Sequence, residues 1–142
     1  MFAAAADVAA VLGLTGSRPI QGQLDLAQAL EDGLPVGAVD RVSRLIAPGD
    51  PAFRDRLVAR STLARRRHQT RLTLEESERV ERVARLWTHA MRLFRDERKA
   101  RGFFTGRHML LRGRRPIDLA RTEAGARAVE QILGGLEFGT AV

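Results

Sequence analysis

Three observations predict an all-α fold. Apolar residues recur at three- and four-residue spacing along nearly the whole chain. No stretch sustains the two-residue alternation of β-branched and aromatic side chains that a half-buried strand needs. Glycine and proline fall where such helices would have to stop and restart, as in "DGLP" at 32–35 and "PGDP" at 48–51.

The elements follow in order. "MFAAAADVAAVLGL" lacks a cationic start, carries Asp7 and is too short an apolar run to span a bilayer, so residues 1–20 are expected to be a folded or fraying N-terminal segment. "LDLAQALEDGLP" sets Leu24, Ala27 and Leu30 at helical spacing, and Gly33 and Pro35 end that helix. In "PVGAVDRVSRLIA", Val36, Val39, Val42 and Leu45/Ile46 share one face. A short helix over about Ala52 to Val58 follows, then a basic helix beginning near Ser61, with Ser61 as N-cap and Leu63 turned inward. "TLEE" at 73–76 fits a capping box that opens a long helix with Val80, Val83/Ala84, Trp87, Ala90/Met91 and Phe94 in one stripe. Glu75–Arg79, Glu78–Arg82 and Glu81–Arg85 have the spacing of i,i+4 ion pairs. From Arg101 the pattern breaks into glycine-punctuated pieces, where Phe103, Phe104, Met109, Leu110 and Leu111 are expected to plug a core. A last helix follows Thr122, with Ala126, Val129, Ile132/Leu133 and Leu136 inward.

Composition narrows the function. The 142 residues are 44% apolar, enough to bury a core, and contain no cysteine, which excludes disulfides and thiolate metal sites and makes the reducing cytoplasm the simplest home. The net charge of +7 is concentrated. Residues 60–72 carry Arg60, Arg65, Arg66, Arg67 and Arg71 without an acid; residues 101–121 carry Arg101, Arg107, Arg112, Arg114, Arg115 and Arg121 against Asp118 alone. Two cationic clusters point to a polyanion or to two anionic surfaces, the plainer alternative being a solvated, arginine-rich exterior.

Catalysis finds little support. His68, His89 and His108 lack metal-ligand spacing, and no phosphate-loop, dinucleotide or nucleophile-elbow motif occurs. No cofactor or metal is expected. His89, beside the apolar stripe of the long helix, reads as a structural histidine. Glu75, Glu76 and Glu78 fit the N-terminal turn of a helix better than acid–base chemistry.

The short helix over about Ala52 to Val58, the brief connection and the basic helix beginning near Ser61 have the layout of a helix-turn-helix. In that layout Ser61, Thr62 and Arg65 meet base edges in the major groove, while Arg60, Arg66, Arg67 and Arg71 meet phosphates. The basic stretch has no interleaved aromatic residues for base stacking, which disfavours RNA. The second cluster lies in a loop shaped by Gly113 and Pro116; it suits either insertion into an anionic or nucleotide-binding cleft, or a plain surface connection.

The residues themselves resemble a known family. "LTLEESERVERVARL" at 72–86 is similar to the signature Leu-Ser/Thr-x-Glu-Glu-Ser of the Xre/MbcA/ParS-like antitoxins, partners of RES-domain toxins. "RGRRPIDLARTEAGARAVEQILGGLEFG" at 112–139 resembles their C-terminal pattern G-G-x-x-P-x-x-L-x-x-T-x-x-G-x-x-x-V-x-x-x-L-x-x-x-x-x-G, with Gly113, Pro116, Leu119, Thr122, Gly125, Val129, Leu133 and Gly139 on matching positions. "STLARRR" is similar to the end of the family's helix-turn-helix, and the resemblance spans about residues 20–139. Two departures are visible: "GFFTGRHMLL" stands where the family often has a Trp-Leu pair, and the turn before the basic helix has no glycine.

The resemblance implies an N-terminal segment at 1–20, a helix-turn-helix-like DNA-binding or dimerisation domain at 21–72, and a helical C-terminal toxin-binding domain at 73–142. It implies a RES-domain, NAD-consuming toxin as partner, blocked at its active site, together with operator DNA, a homodimer and a hetero-oligomer with the toxin, and no membrane. The toxin contacts would come from Arg112, Gly113, Arg114, Arg115, Pro116, Asp118, Leu119, Thr122 and Gly125. The competing expectation is a stand-alone helix-turn-helix regulator without a toxin.

Overall fold

The computed structural model describes residues 4–14, 16, 18–69 and 71–139; within the fifth helix, the side chains of Arg66, Arg67 and Gln69 lie outside the described residues. In chain order the helices are α1 (Ala5–Leu12), α2 (Gln23–Asp32), α3 (Gly37–Ile46), α4 (Pro51–Leu57), α5 (Arg60–Gln69), α6 (Leu74–Phe94), α7 (Glu97–Thr105), α8 (Pro116–Leu119) and α9 (Glu123–Glu137), with a 3-10 turn at Met109–Leu111. Among the described residues no β-strand forms, as the sequence predicts.

α6 is the spine. Thr73 accepts from the Glu76 amide at 3.2 Å, and the Glu76 carboxylate accepts from the Thr73 amide at 2.8 Å, so the expected capping box opens the helix. Val80, Val83, Ala84, Leu86, Trp87 and Ala90 form one broad buried apolar face, with Ser77, Glu81, Thr88 and His89 buried beside it. α1, α2, α3, α4, α7 and α9 all pack against it, and the buried apolar side chains form one continuous cluster.

The N-terminal helices close on α6 through backbone contacts. The Ser77 hydroxyl, fully buried on α6, accepts from the Leu34 amide at 2.9 Å. Leu72 donates its amide to the Leu34 carbonyl at 2.8 Å. Gly33, at φ 90°, makes this approach possible: a Cβ there would collide with the Leu72 carbonyl oxygen.

The C-terminal segment is clamped to the same spine by charge. Arg85 reaches Glu81 at 3.3 Å, Glu123 at 3.1 Å and Glu130 at 2.9 Å. Arg82 donates to the Ala120 and Arg121 carbonyls at 3.3 and 3.0 Å rather than completing a ladder of i,i+4 pairs. The expected structural role of His89 is met at the other end of α9, where its Nε2 lies 3.1 Å from a Glu137 oxygen.

α1 packs on α6 by Ala5, Val8, Ala9 and Leu12, the folded alternative of the two expected for the N-terminal segment. Several other expectations require correction. α2 buries Leu26, while Leu24 is 87% exposed, because the inward face runs through Leu26 and Leu30. α5 begins at Arg60, which places Ser61 inside its first turn instead of at the cap. Leu136 lies on the exposed side of the last turn of α9. Residues 97–105 form a regular helix capped by the Asp96 side chain. Of the five residues expected to plug a core there, Phe103, Phe104 and Leu111 do so, while Met109 and Leu110 are exposed.

Candidate nucleic-acid and partner-protein surfaces

α4 and α5 are joined by only Val58 and Ala59, and they are held to the core by Phe53, Leu57, Val58 and Leu63. Leu63 fixes which side of α5 faces out. The outward stripe carries Ser61, Arg65 and His68, at i, i+4 and i+7, with Arg60 and Ala64 beside it. Thr62 is half-buried. Arg60 lies 3.5 Å from Asp55 of α4, an ion pair that steadies the entry to the helix. His68 is an addition to the expected set; the i+7 spacing from Ser61 was the available signal.

Arg71 is placed elsewhere. Its Nη1 donates to the Gly33 carbonyl at 2.8 Å, which ties it to the α2–α3 junction. Next to it opens a cleft of about 850 Å³ lined by Leu14, Arg18, Ile20, Gln28 and Pro35 among others.

The second cationic cluster splits in two. The first part is a tightly bonded loop. Gly113 and Leu111 both donate their amides to the His108 carbonyl at 2.9 Å, and His108 donates its amide to the Arg114 carbonyl at 3.2 Å. Arg107 Nη1 donates to the Gly113 carbonyl at 3.0 Å. His108 Nε2 lies 2.8 Å from the Phe103 carbonyl, which can only accept, so that nitrogen carries the proton. Leu111 is buried and anchors the loop; Met109, Leu110, Arg112, Gly113 and Arg114 are exposed at its tip. Arg112 takes the left-handed conformation, φ 57°, on the first glycine position of the family pattern, and Gly113 follows at φ 76°. A side chain in that region costs about 1 kcal/mol per residue.

The second part is internal. Arg115 forms a two-pronged pair with Asp118, at 2.9 and 3.2 Å, and Asp118 is also 3.5 Å from Arg56 of α4, which reaches Asp50 at 3.7 Å. Burial would raise the Asp118 pKa, but the Arg115 hydrogen bond and charge, with Arg56 and Arg114, outweigh it and hold the carboxyl below its ordinary value. Pro116 is buried at the start of α8, and Leu119 is partly buried. Thr122 caps α9 by accepting from the Gly125 amide at 3.0 Å. A Cβ on Gly125 would be driven into the Leu119 carbonyl group. Of the nine residues expected to contact a toxin, Arg112, Gly113 and Arg114 are exposed on the loop, Thr122 is exposed where it caps α9, and the other five are buried or partly buried at the α8–α9 corner that carries the loop.

Among the described residues, no helix is long and apolar enough to cross a membrane, and no group of three or more His, Asp or Glu side chains is arranged to hold a metal ion.

Comparison with known proteins matches two stretches of the chain. Residues 25–85 match the model of the antitoxin Xre-like helix-turn-helix domain, and residues 89–139 match that of the antitoxin Xre/MbcA/ParS C-terminal toxin-binding domain. The two ranges meet within α6. A curated relative, Antitoxin Xre of Yersinia enterocolitica serotype O:8 / biotype 1B, is 40% identical over 82 residues, which are 57% of this chain and 55% of the relative. The match therefore spans about half the length of that protein.

Proposed function

The chain belongs to the Xre/MbcA/ParS-like antitoxins, and from that premise we propose that it neutralises a RES-domain, NAD-consuming toxin and represses its own operon. The C-terminal part, 73–142, covers the toxin's active site with the loop at 107–114 in front. The part at 21–72 binds operator DNA as a homodimer through α5, with α6 shared between the two. Both activities belong to the cytoplasm.

One observation carries the reading: a single core holds two outward cationic features of different build. α5 is a helix with an exposed stripe of Ser61, Arg65 and His68, a shape that fits a major groove. The loop is a compact knot fixed by its own hydrogen bonds, a shape that fits a cleft. On DNA, Arg65 would pair with guanine O6 and N7, Ser61 and Thr62 would meet neighbouring bases, and Arg60, Arg66 and Arg67 would hold phosphates. On the toxin, a loop whose backbone is already held in place loses little freedom on binding.

The test is co-expression with the product of the neighbouring reading frame. A RES-domain protein that stops growth alone, is tolerated with this chain and co-purifies with it supports the proposal. Failure to rescue growth and failure to co-purify would end it.

A further inference from the structure

We propose that Met109 and Leu110 form an apolar prow that enters the partner's pocket, with Arg112 and Arg114 guiding it from the rim. The inference rests on the reading of the chain as toxin-binding and names the contact that reading leaves open.

Three observations place it. Met109 is 93% exposed and Leu110 58%, side by side, while the next residue, Leu111, is 7% exposed and anchors the turn. Scattered exposed leucines are ordinary on any surface. Two adjacent large apolar side chains on a rigid tip are different, because the backbone spends its hydrogen bonds on holding them outward: the amides of Leu111 and Gly113 close on His108, and the Arg107 guanidinium closes on Gly113. The His108 ring packs on Phe103 at 4.9 Å, so the base of the loop is fixed in the core. Little motion is left to lose on docking.

Charge selects the partner. Arg107, Arg112 and Arg114 surround the prow, and Asp118, the nearest acid in sequence, is held by Arg115 and Arg56. The complementary surface is a protein pocket with an apolar floor and an acidic rim. Arg112 takes its left-handed conformation as the C-cap of the 3-10 turn, as Arg95 does after α6, and its side chain is exposed beside the prow. Methionine suits the role, since an unbranched thioether adapts to a pocket shaped for another molecule.

The experiment uses the full chain and the purified RES-domain product of the neighbouring frame, titrated at low and high salt. Met109→Ala with Leu110→Ala should weaken binding by roughly 30-fold or more at either salt. Arg112→Gly with Arg114→Ala should weaken it chiefly at low salt, through slower association. All four side chains are exposed, so the variants should melt close to the parent chain. If the parent binds and the Met109/Leu110 variant stays within about twofold of it, well below a hot-spot effect, the prow is refuted while the toxin reading stands. If the parent itself does not bind, the toxin reading fails and takes the prow with it. A variant that changes only the sedimentation of the free chain would assign these residues to self-association and overturn the proposal.

Discussion

Replacing Gly125 with alanine should destabilise the chain, although alanine is the better helix former. Gly125 lies in the first turn of α9, where its amide donates to Thr122 Oγ1 at 3.0 Å. A Cβ would overlap the Leu119 carbonyl oxygen, come within 2.8 Å of its carbon and stand 3.1 Å from Thr122 Oγ1. The neighbour is backbone at the end of α8, so relief requires α8 and α9 to part. Overpacking of this kind costs roughly 1–3 kcal/mol. Loss of the Thr122 cap adds about 1 kcal/mol, and the better helix propensity of alanine returns about 1 kcal/mol. The net is a loss of about 1–3 kcal/mol, or a fall in Tm of roughly 3–9 °C for a chain of this size. Gly134→Ala is the matched control. It makes the same change in the same helix, where a Cβ meets nothing within 4 Å, and it should gain about 0.5–1 kcal/mol. Urea unfolding of both variants, followed by far-ultraviolet circular dichroism, reads the difference as opposite shifts in midpoint at constant slope. A Gly125→Ala protein as stable as Gly134→Ala would refute the close approach of α8 to α9.

Three further outcomes follow from the charges. Arg85→Met should cost about 3 kcal/mol in the same unfolding assay, because it leaves Glu81 buried beside Glu123 and Glu130 without their shared cation. Burial raises the Glu81 pKa above 4.5, with Glu123 and Glu130 adding to the rise and Arg85 and Arg82 opposing it. Its contribution to stability is therefore complete below pH 4.5 and is lost as pH climbs through the raised value. Glu81→Gln should gain on the parent over that interval, and a stability difference flat with pH would contradict it. Arg65→Ala should weaken operator binding by roughly 1–3 kcal/mol and relax preference at one base pair, measured by fluorescence anisotropy on matched and mismatched duplexes.

The legible parts of the fold were those set by local chemistry. Thr73 and Glu76 announce the start of α6 because a capping box is complete within four residues. Val36, Val39, Val42 and Ile46 define the inner face of α3 by spacing alone. α7 was also readable: Asp96 caps it, and Ala100, Phe103 and Phe104 recur at i, i+3 and i+4, but the glycines around them drew attention to turns. Met109, Leu110 and Leu111 misled because a 3-10 turn points three consecutive side chains in three directions, and only one can reach the core. The bond from Arg71 to Gly33 joins residues 38 positions apart and leaves no local trace. Likewise, the pattern that identifies the C-terminal half mixes residues that shape the corner, such as Thr122 and Gly125, with residues at the tip, such as Gly113. Sequence reports both kinds alike; only packing separates them.

The sharing of α6 constrains how such a protein can be rebuilt. A junction placed anywhere between Leu74 and Phe94 would divide a helix that is fitted to α1 and α3 as well as to α7 and α9. A chimera joining the front of one relative to the back of another inherits mismatched walls unless the whole helix and both of its linings travel together. On the proposed reading, new specificities would be sought at the outer stripe of α5 and at the prow, where exposed side chains can be exchanged without disturbing the shared column.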